Sequence, residues 1–160
     1  MISFDAGTHL FHFRAAAVVL RGSHVLLHQL EGDDFWALPG GRVELGEAAA
    51  DAIVREFSEE LGVKVECGEF LGVAENFFLH AGKPHHEVGL YFAATPDPNS
   101  PLATSQCPYL WAEGHRPLRF AWFDRMSLQS VDIRPRFLVE ALASKEVRIG
   151  HAVQRDHAAP

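Results

Sequence analysis

The sequence predicts a single α/β domain in which a mixed β-sheet lies between helices. Residues 47–61 contain no Gly or Pro and repeat their apolar side chains at helical spacing. Five other stretches are apolar or β-branched runs bounded by turn residues, the mark of strands. No internal repeat divides the 160 residues, a length that suits one domain with a sizeable core. One mixed sheet with helices packed against it is the economical arrangement of these pieces.

Taken in order, residues 1–10 read as a tail. Residues 11–20, FHFRAAAVVL, read as a strand, Arg21-Gly22-Ser23 as a tight turn, and residues 24–30, HVLLHQL, as the returning strand of a hairpin. A polar loop at 31–34 precedes Trp36. Residues 63–78 read mostly as strand, 79–84 as a turn-rich loop, and 86–94, HEVGLYFAA, as a further strand. Residues 96–109 hold four prolines and read as a long irregular segment, a kind that is often functional or mobile. Residues 119–124 form a short strand, and 136–145 a helix after Pro135 that buries Phe137, Leu138 and Leu142. From residue 148 onward the chain again reads as a tail.

The helix at 47–61 carries the chemistry. Ala48, Ala49, Ala50 and Ala52 are strong helix formers, Gly62 supplies the C-terminal stop, and Glu47 and Asp51 suit the positive end of the helix dipole. Ala49, Ile53, Phe57 and Leu61, each four residues apart, form an apolar stripe toward the core. Glu56 and Glu60 are also four apart, at roughly 60° and 20° from Ile53 around the axis, so they stand at the edge of the buried face. Glu59 lies further toward solvent, four residues after Arg55. Like charges so placed repel, and partial burial raises the cost of ionising them. A hard divalent cation with oxygen ligands relieves both penalties. For an EFSEE segment standing alone, a solvated charged face would be the plainer reading.

Composition narrows the partners. The formal charge of −7 argues against a nucleic-acid duplex, which needs a basic face, but leaves a small nucleotide open because bound metal brings its own positive charge. Cys67 and Cys107 form no C-x-x-C motif, the first residues lack a secretory pattern, and no run is long enough to span a membrane. A reduced, cytoplasmic setting with no membrane partner is the expectation. The ten histidines show no zinc-like spacing and are expected to be scattered surface groups.

Gly41, Glu47, Arg55-Glu56, Phe57, Glu59-Glu60, Gly62 and Val63 fit the pattern G-x5-E-x7-R-E-U-x-E-E-x-G-U, where U is aliphatic or aromatic. That segment resembles the Nudix box, and Trp36-Ala-Leu-Pro-Gly-Gly41 resembles the approach to it. The chain is therefore similar to Nudix hydrolases, which cleave nucleoside diphosphates linked to another moiety by means of divalent metal. The resemblance implies a Nudix α/β/α sandwich spanning 1–160 and Mg2+ or Mn2+ as cofactor. It maps Glu56 and Glu60 onto the principal metal ligands and Glu59 onto an accompanying ligand or water-activating position. Arg55 maps onto the arginine that orients the box glutamates, and Gly40 onto a backbone carbonyl in the metal shell. Glu47 either completes this network or only favours the helix N-terminus.

In the family a downstream acidic residue often adds a ligand or a catalytic base, and Glu87 and Glu75 are the candidates here; the plain alternative is a surface carboxylate. Strand alternation puts His85 and Glu87 on one face, and His86, Val88, Leu90 and Phe92 on the other. His80, His85 and His86 stand between phosphate contact and surface. Trp36, Phe77, Phe78 and Tyr91 stand between base stacking and core, and no substrate-binding residue is assigned. The implied substrate is a nucleoside triphosphate or nucleotide-sugar, as in the MutT-like group. No SQPWPFP-like or coenzyme A-type signature is present, and Pro84 lies further from the box than the proline usual in ADP-ribose enzymes. A non-hydrolytic nucleotide sensor would be expected to have lost Glu56, Glu59 or Glu60. An isoprenoid-diphosphate isomerase would need catalytic Cys and Glu contexts that Cys67 and Cys107 lack. The expected partner is a small nucleotide, with a homodimer open as the assembly.

Overall fold

Ala15, Ala16 and Ala17 stand at the centre of the molecule because both faces of their strand are covered. The computed structural model describes residues 1–105, 109–113 and 116–156. In chain order the strands are β1 (Ser3–Asp5), β2 (Leu10–Val18), β3 (Leu20–Arg21), β4 (His24–Leu30), β5 (Gly40–Arg42), β6 (Val65–His80), β7 (Lys83–Pro96), β8 (Tyr109–Glu113), β9 (Arg116–Asp124) and β10 (Gly150–Arg155). The helices are α1 (Ala49–Leu61), α2 (Pro101–Thr104) and α3 (Leu138–Ala143), with a 3-10 turn at Arg125–Ser130.

Two sheets make up the middle layer. One runs β1-β2-β7-β6-β10 with β5 also paired to β2, and the other runs β3-β4-β9-β8. β2 lies parallel to β7 and β10 parallel to β6, while the other pairs are antiparallel, so the first sheet is mixed. On one side Ala15 and Ala17 meet Ile53 and Phe57 of α1 together with Leu26 and Phe120. On the other side Ala16 and Val18 meet Leu27, Leu38 and Tyr91 under Leu128 of the 3-10 turn and Leu138 and Leu142 of α3. Helices therefore cover both sides of the sheets, the α/β/α sandwich expected.

The small residues of β2 also let β5 approach. Gly40 and Gly41 pair with Ala16 and Ala15, and a Cβ on Gly40, at φ +144, would strike the carbonyl of Ala15. α1 begins at Ala49 and ends where Gly62 adopts the left-handed conformation at φ 63, its N–H bonded back to the last turn. Ile53, Phe57 and Leu61 are buried along its apolar stripe.

Several expectations need correction. Among the described residues the spans read as tails, 1–10 and 148–160, hold strands: β1 extends the sheet at one edge and β10 adds a strand at the other. Burial in β10 alternates, but GHAVQR is too polar for that alternation to stand out. The 79–84 loop is a two-residue turn at Ala81-Gly82 between long strands. The hairpin partner of β4 is only the short β3, since β2 leaves it to join β7 and β5. The C-terminal helix is shorter than predicted, at six residues. The 96–109 segment contains the one-turn α2; Cys107 within it lies outside the described residues. His12, His28 and His85 are buried, contrary to the surface expectation for the histidines.

The parallel β6–β10 pairing requires Gly72, whose φ is +146 and whose absent Cβ makes room for the backbone of Gly150. Gly72→Ala is expected to lower unfolding stability by about 1–3 kcal/mol in urea titration, with amide exchange rising first in β10. Unchanged stability would mean that β10 docks without that close approach.

Candidate active site

Glu47, just before α1, and Glu56 and Glu59 on it converge on one guanidinium. Arg55 donates from Nε and Nη2 to Glu47 at 2.8 and 3.1 Å, and from Nη1 to Glu56 at 2.9 Å and Glu59 at 3.2 Å. Its Nη2 also reaches the carbonyl of Arg42 at 3.1 Å, tying the helix to β5. The Arg55 hydrogen bonds hold the Glu47 carboxyl below its ordinary range. The same bonds, led by the one to Glu47, fix the positive charge on Arg55. Glu47 thus completes the inner network as well as sitting at the helix start. Arg55 is not merely the i,i+4 partner of Glu59.

Glu60 is buried at 8% exposure and Glu56 nearly so, whereas the Glu59 side chain is 61% exposed, the order that the helical geometry predicts. Burial pushes the Glu56 carboxyl up, against the lowering pull of Arg55 and the more distant Arg14. Gly41 has no side chain where a Cβ would collide with the Glu56 carboxylate, so β5 backbone and carboxylate lie in direct apposition.

These groups form one wall of a cavity of about 550 Å³, within the range of small-molecule sites. Gly40, Gly41, Glu56, Glu59 and Glu60 all line it. Across it stands the inward face of the β2-β7-β6 sheet. There His12, Glu87 and Asn76 are cross-strand neighbours in one row, with His85 and Phe78 in the next. The face shared by His85 and Glu87 is therefore the cavity face. Burial pushes the Glu87 carboxyl up, opposed by the charges of Arg14 and Arg42 and by a hydrogen bond from Asn76. Arg14 lies between the two carboxylate groups electrostatically, acting on both Glu56 and Glu87, and its Nη2 is held by the carbonyl of Leu38 at 3.0 Å. Glu75 points to the opposite face, where its carboxylate meets His151 at 2.8 Å, and it does not line the cavity.

The histidines are organised. Ser3 Oγ lies 2.9 Å from His12 Nδ1, and His12 Nε2 lies 2.7 Å from His85 Nδ1. His85 stacks on Phe78 at 4.8 Å. Burial, with the positive charge of Arg42, lowers the His12 pKa to about 4, and burial lowers that of His28 to about 3. Both are neutral near pH 7. At the far end of the cavity Arg134 lies 4.7 Å over the ring of Phe35, and His80 meets that ring edge-on. Trp36 packs instead against Phe123, and Phe77 lies on the outer face of the sheet.

His12, Arg14, His28 and Asn76 were not singled out by sequence reasoning. The available signals were alternation, which places His12 and Arg14 on one face of an otherwise apolar strand, and register with Glu87. Register is fixed only by the fold.

A family model for the NUDIX domain matches residues 11–138. A MutT-like protein of Streptomyces ambofaciens is 42% identical over 62 residues, covering 38% of this chain and 40% of its own. Diphosphoinositol polyphosphate phosphohydrolase 2 of Homo sapiens is 39% identical over 70 residues, covering 41% and 39%. The matches thus span about two fifths of these curated relatives. A MutT NUDIX hydrolase structure from Burkholderia pseudomallei superposes with a TM-score of 0.62 at 23% identity, over 84% of this chain and 98% of that one. The matched model covers most of the sequence, the box included: the chain belongs to the NUDIX domain family.

Proposed function

We propose that this protein is a hydrolase using Mg2+ or Mn2+ to cleave the diphosphate linkage of a nucleoside diphosphate joined to another moiety. One observation carries the reading: the α1 carboxylates, the buried Glu60 and the Arg55-held Glu56 and Glu59, line a cavity together with a desolvated carboxylate, Glu87, and with Arg14 and Arg42.

The donor set fits a hard cation. Glu56, Glu60 and the Gly40 carbonyl offer oxygen ligands, Glu59 a further one at the exposed margin, and the absent Gly41 side chain leaves Glu56 open to β5. Among the described residues no three acidic, His or Cys side chains already stand grouped as a metal cage. Mg2+ suits such a site, since it is usually held by one or two carboxylates and completes its shell with water and phosphate oxygens. When bound, the metal would neutralise charge developing on the phosphates and acidify a water.

The residues of the chain supply the rest. Arg55 fixes the rotamers of Glu56 and Glu59, so little reorganisation is needed on loading. Arg14 and Arg42 set a positive potential for a diphosphate between the carboxylate walls. Glu87, held by Asn76 and with its affinity for a proton raised by burial, is suited to remove a proton from the attacking water, with Glu59 as the alternative base. The planar groups Phe35, Phe78 and His85 at the other end suit a nucleobase. Net charge of −7 supports a small ligand over a duplex, and no described helix is long and apolar enough to cross a membrane.

A panel of nucleoside triphosphates, nucleotide-sugars, dinucleoside polyphosphates and a diphosphoinositol polyphosphate, run with Mg2+ and Mn2+ and read by product identity, tests the function. Cleavage of a nucleotide to a nucleoside monophosphate, abolished by chelation, is expected. Full turnover after exhaustive chelation would contradict it.

Glu60→Gln keeps the side-chain shape and removes one charge; hydrolysis should fall by at least 100-fold, about 2.7 kcal/mol of barrier, with the fold intact. A change within threefold would remove Glu60 from the ligand set.

Glu87 also makes a prediction about pH. Its folded pKa is raised above the ordinary 4.5, so the native state holds a proton that the unfolded state releases. Stability from this group is complete below that ordinary value and is lost as pH rises through the folded pKa. Glu87→Gln should therefore stabilise the protein at neutral pH but not in acid, while kcat drops more than tenfold with little change in KM. Equal stability at both pH values would mean that Glu87 is solvated.

A further inference from the structure

The far end of the cavity is organised by the backbone of Trp36. Its N–H donates to the carbonyl of Asp132 at 2.7 Å, and its carbonyl accepts from the N–H of Arg134 at 2.9 Å, a short parallel bridge opposite Ile133. This main-chain clasp sets Phe35 beside Arg134, whose guanidinium lies 4.7 Å over the Phe35 ring. Asp132 takes one edge of that guanidinium, accepting from Nε at 3.3 Å and from Nη2 at 2.9 Å. A guanidinium carries five N–H donors in a fixed plane, and Asp132 uses two of them. The Nη1–Nη2 edge keeps two parallel donors with no acceptor among the described residues. The Arg134 side chain is 43% exposed, and it lines the cavity together with Phe35, His80 and Asp156.

We propose that this free edge of Arg134 reads the base of the substrate and selects a 6-oxopurine, the guanine type, over a 6-aminopurine. Only the placing of the diphosphate at α1, which leaves the base for this end, is taken from the function proposed above. Charge decides the class of group that Arg134 takes. Its positive charge is already held by the Asp132 hydrogen bonds and by the charges of Asp132, Asp34 and Asp156. A phosphate or carboxylate brought there would meet three carboxylates, so the group that fits is neutral. Two parallel N–H donors require two adjacent acceptors in one plane. Guanine and hypoxanthine present O6 and N7, the pair that arginine recognises in duplexes. Adenine presents N7 beside an N6 amino group, so one Arg134 N–H would face a donor. Asp156, whose charge reaches Arg134, offers an acceptor for the N1–H that 6-oxopurines carry and adenine lacks. Asp132 and Phe35 hold the guanidinium in place beforehand, so little side-chain freedom is lost on binding.

Nucleoside monophosphates keep the base and need no turnover, so calorimetric titration of the purified protein with GMP, IMP and AMP tests the assignment apart from the reaction. GMP and IMP should each bind at least about tenfold more tightly than AMP. In Arg134→Gln that ratio should fall to about one, through loss of GMP and IMP affinity. Arg134→Lys keeps the charge without the parallel donors and should lose the ratio too. Thermal unfolding of both variants should match that of the unaltered chain, since the side chain is half-exposed. Equal affinity for GMP and AMP, no measurable binding of either at about 10 mM, or a ratio that survives in Arg134→Gln would overturn the assignment. Equal weakening of GMP and AMP by Arg134→Gln would overturn it as well, because Arg134 would then hold phosphate or ribose. The hydrolysis panel separates the two readings. Tighter GMP binding with no nucleotide cleaved sinks the reaction and leaves the base selection standing. Cleavage of guanine and adenine nucleotides, without a preference in binding, does the reverse.

Discussion

Four glutamates within fourteen residues must be kept close together without driving the chain apart, and Arg55 makes that arrangement tenable. One guanidinium touches Glu47, Glu56 and Glu59, and it anchors the helix to the backbone of β5 as well. The planar fork suits this task better than an ammonium would, because it offers several directed donors at once. Glu60 takes its place from the helical repeat beneath Ile53 and Phe57. From this clamp follow the position of α1, the apposition of Gly41 to Glu56, and the negative wall of the cavity.

The long β6–β7 hairpin ties that wall to the rest of the fold. Its inward face brings Glu87, Asn76, His85 and Phe78 to the cavity, and its outward face presents the stacked rings of His86 and Phe77 under Arg155. Period-two alternation makes the two surfaces inseparable, since a one-residue slip would exchange them. Gly72 and the register shifts between Cys67 and Gly72 bend the strand where β10 docks.

The helix, its buried stripe and the ranking of Glu60, Glu56 and Glu59 by exposure were legible because they depend only on spacing along one element. The face of Glu87 was legible for the same reason. Which way that face looks was not, because it depends on the parallel pairing of β2 with β7, a contact between segments more than seventy residues apart. The burial of His12, His28 and His85 was hidden likewise: histidine serves equally well on a surface or in a wall, and only partners such as Ser3 and Phe78 decide. β1 and β10 escaped notice because edge strands carry weak alternation and polar composition. Glu75 and Glu87 look alike in sequence but face opposite ways, as register alone determines.

We propose that a divalent cation binds between the α1 carboxylates and the Gly40–Gly41 backbone. Paramagnetic broadening of backbone amide signals by Mn2+, titrated into the purified protein, tests it without reference to any substrate. Broadening is expected to centre on Gly40, Gly41, Glu56 and Glu60, to extend to Glu87 and to leave β10 unaffected. Broadening centred elsewhere, or unchanged in a Glu56→Gln, Glu60→Gln double variant, would contradict it.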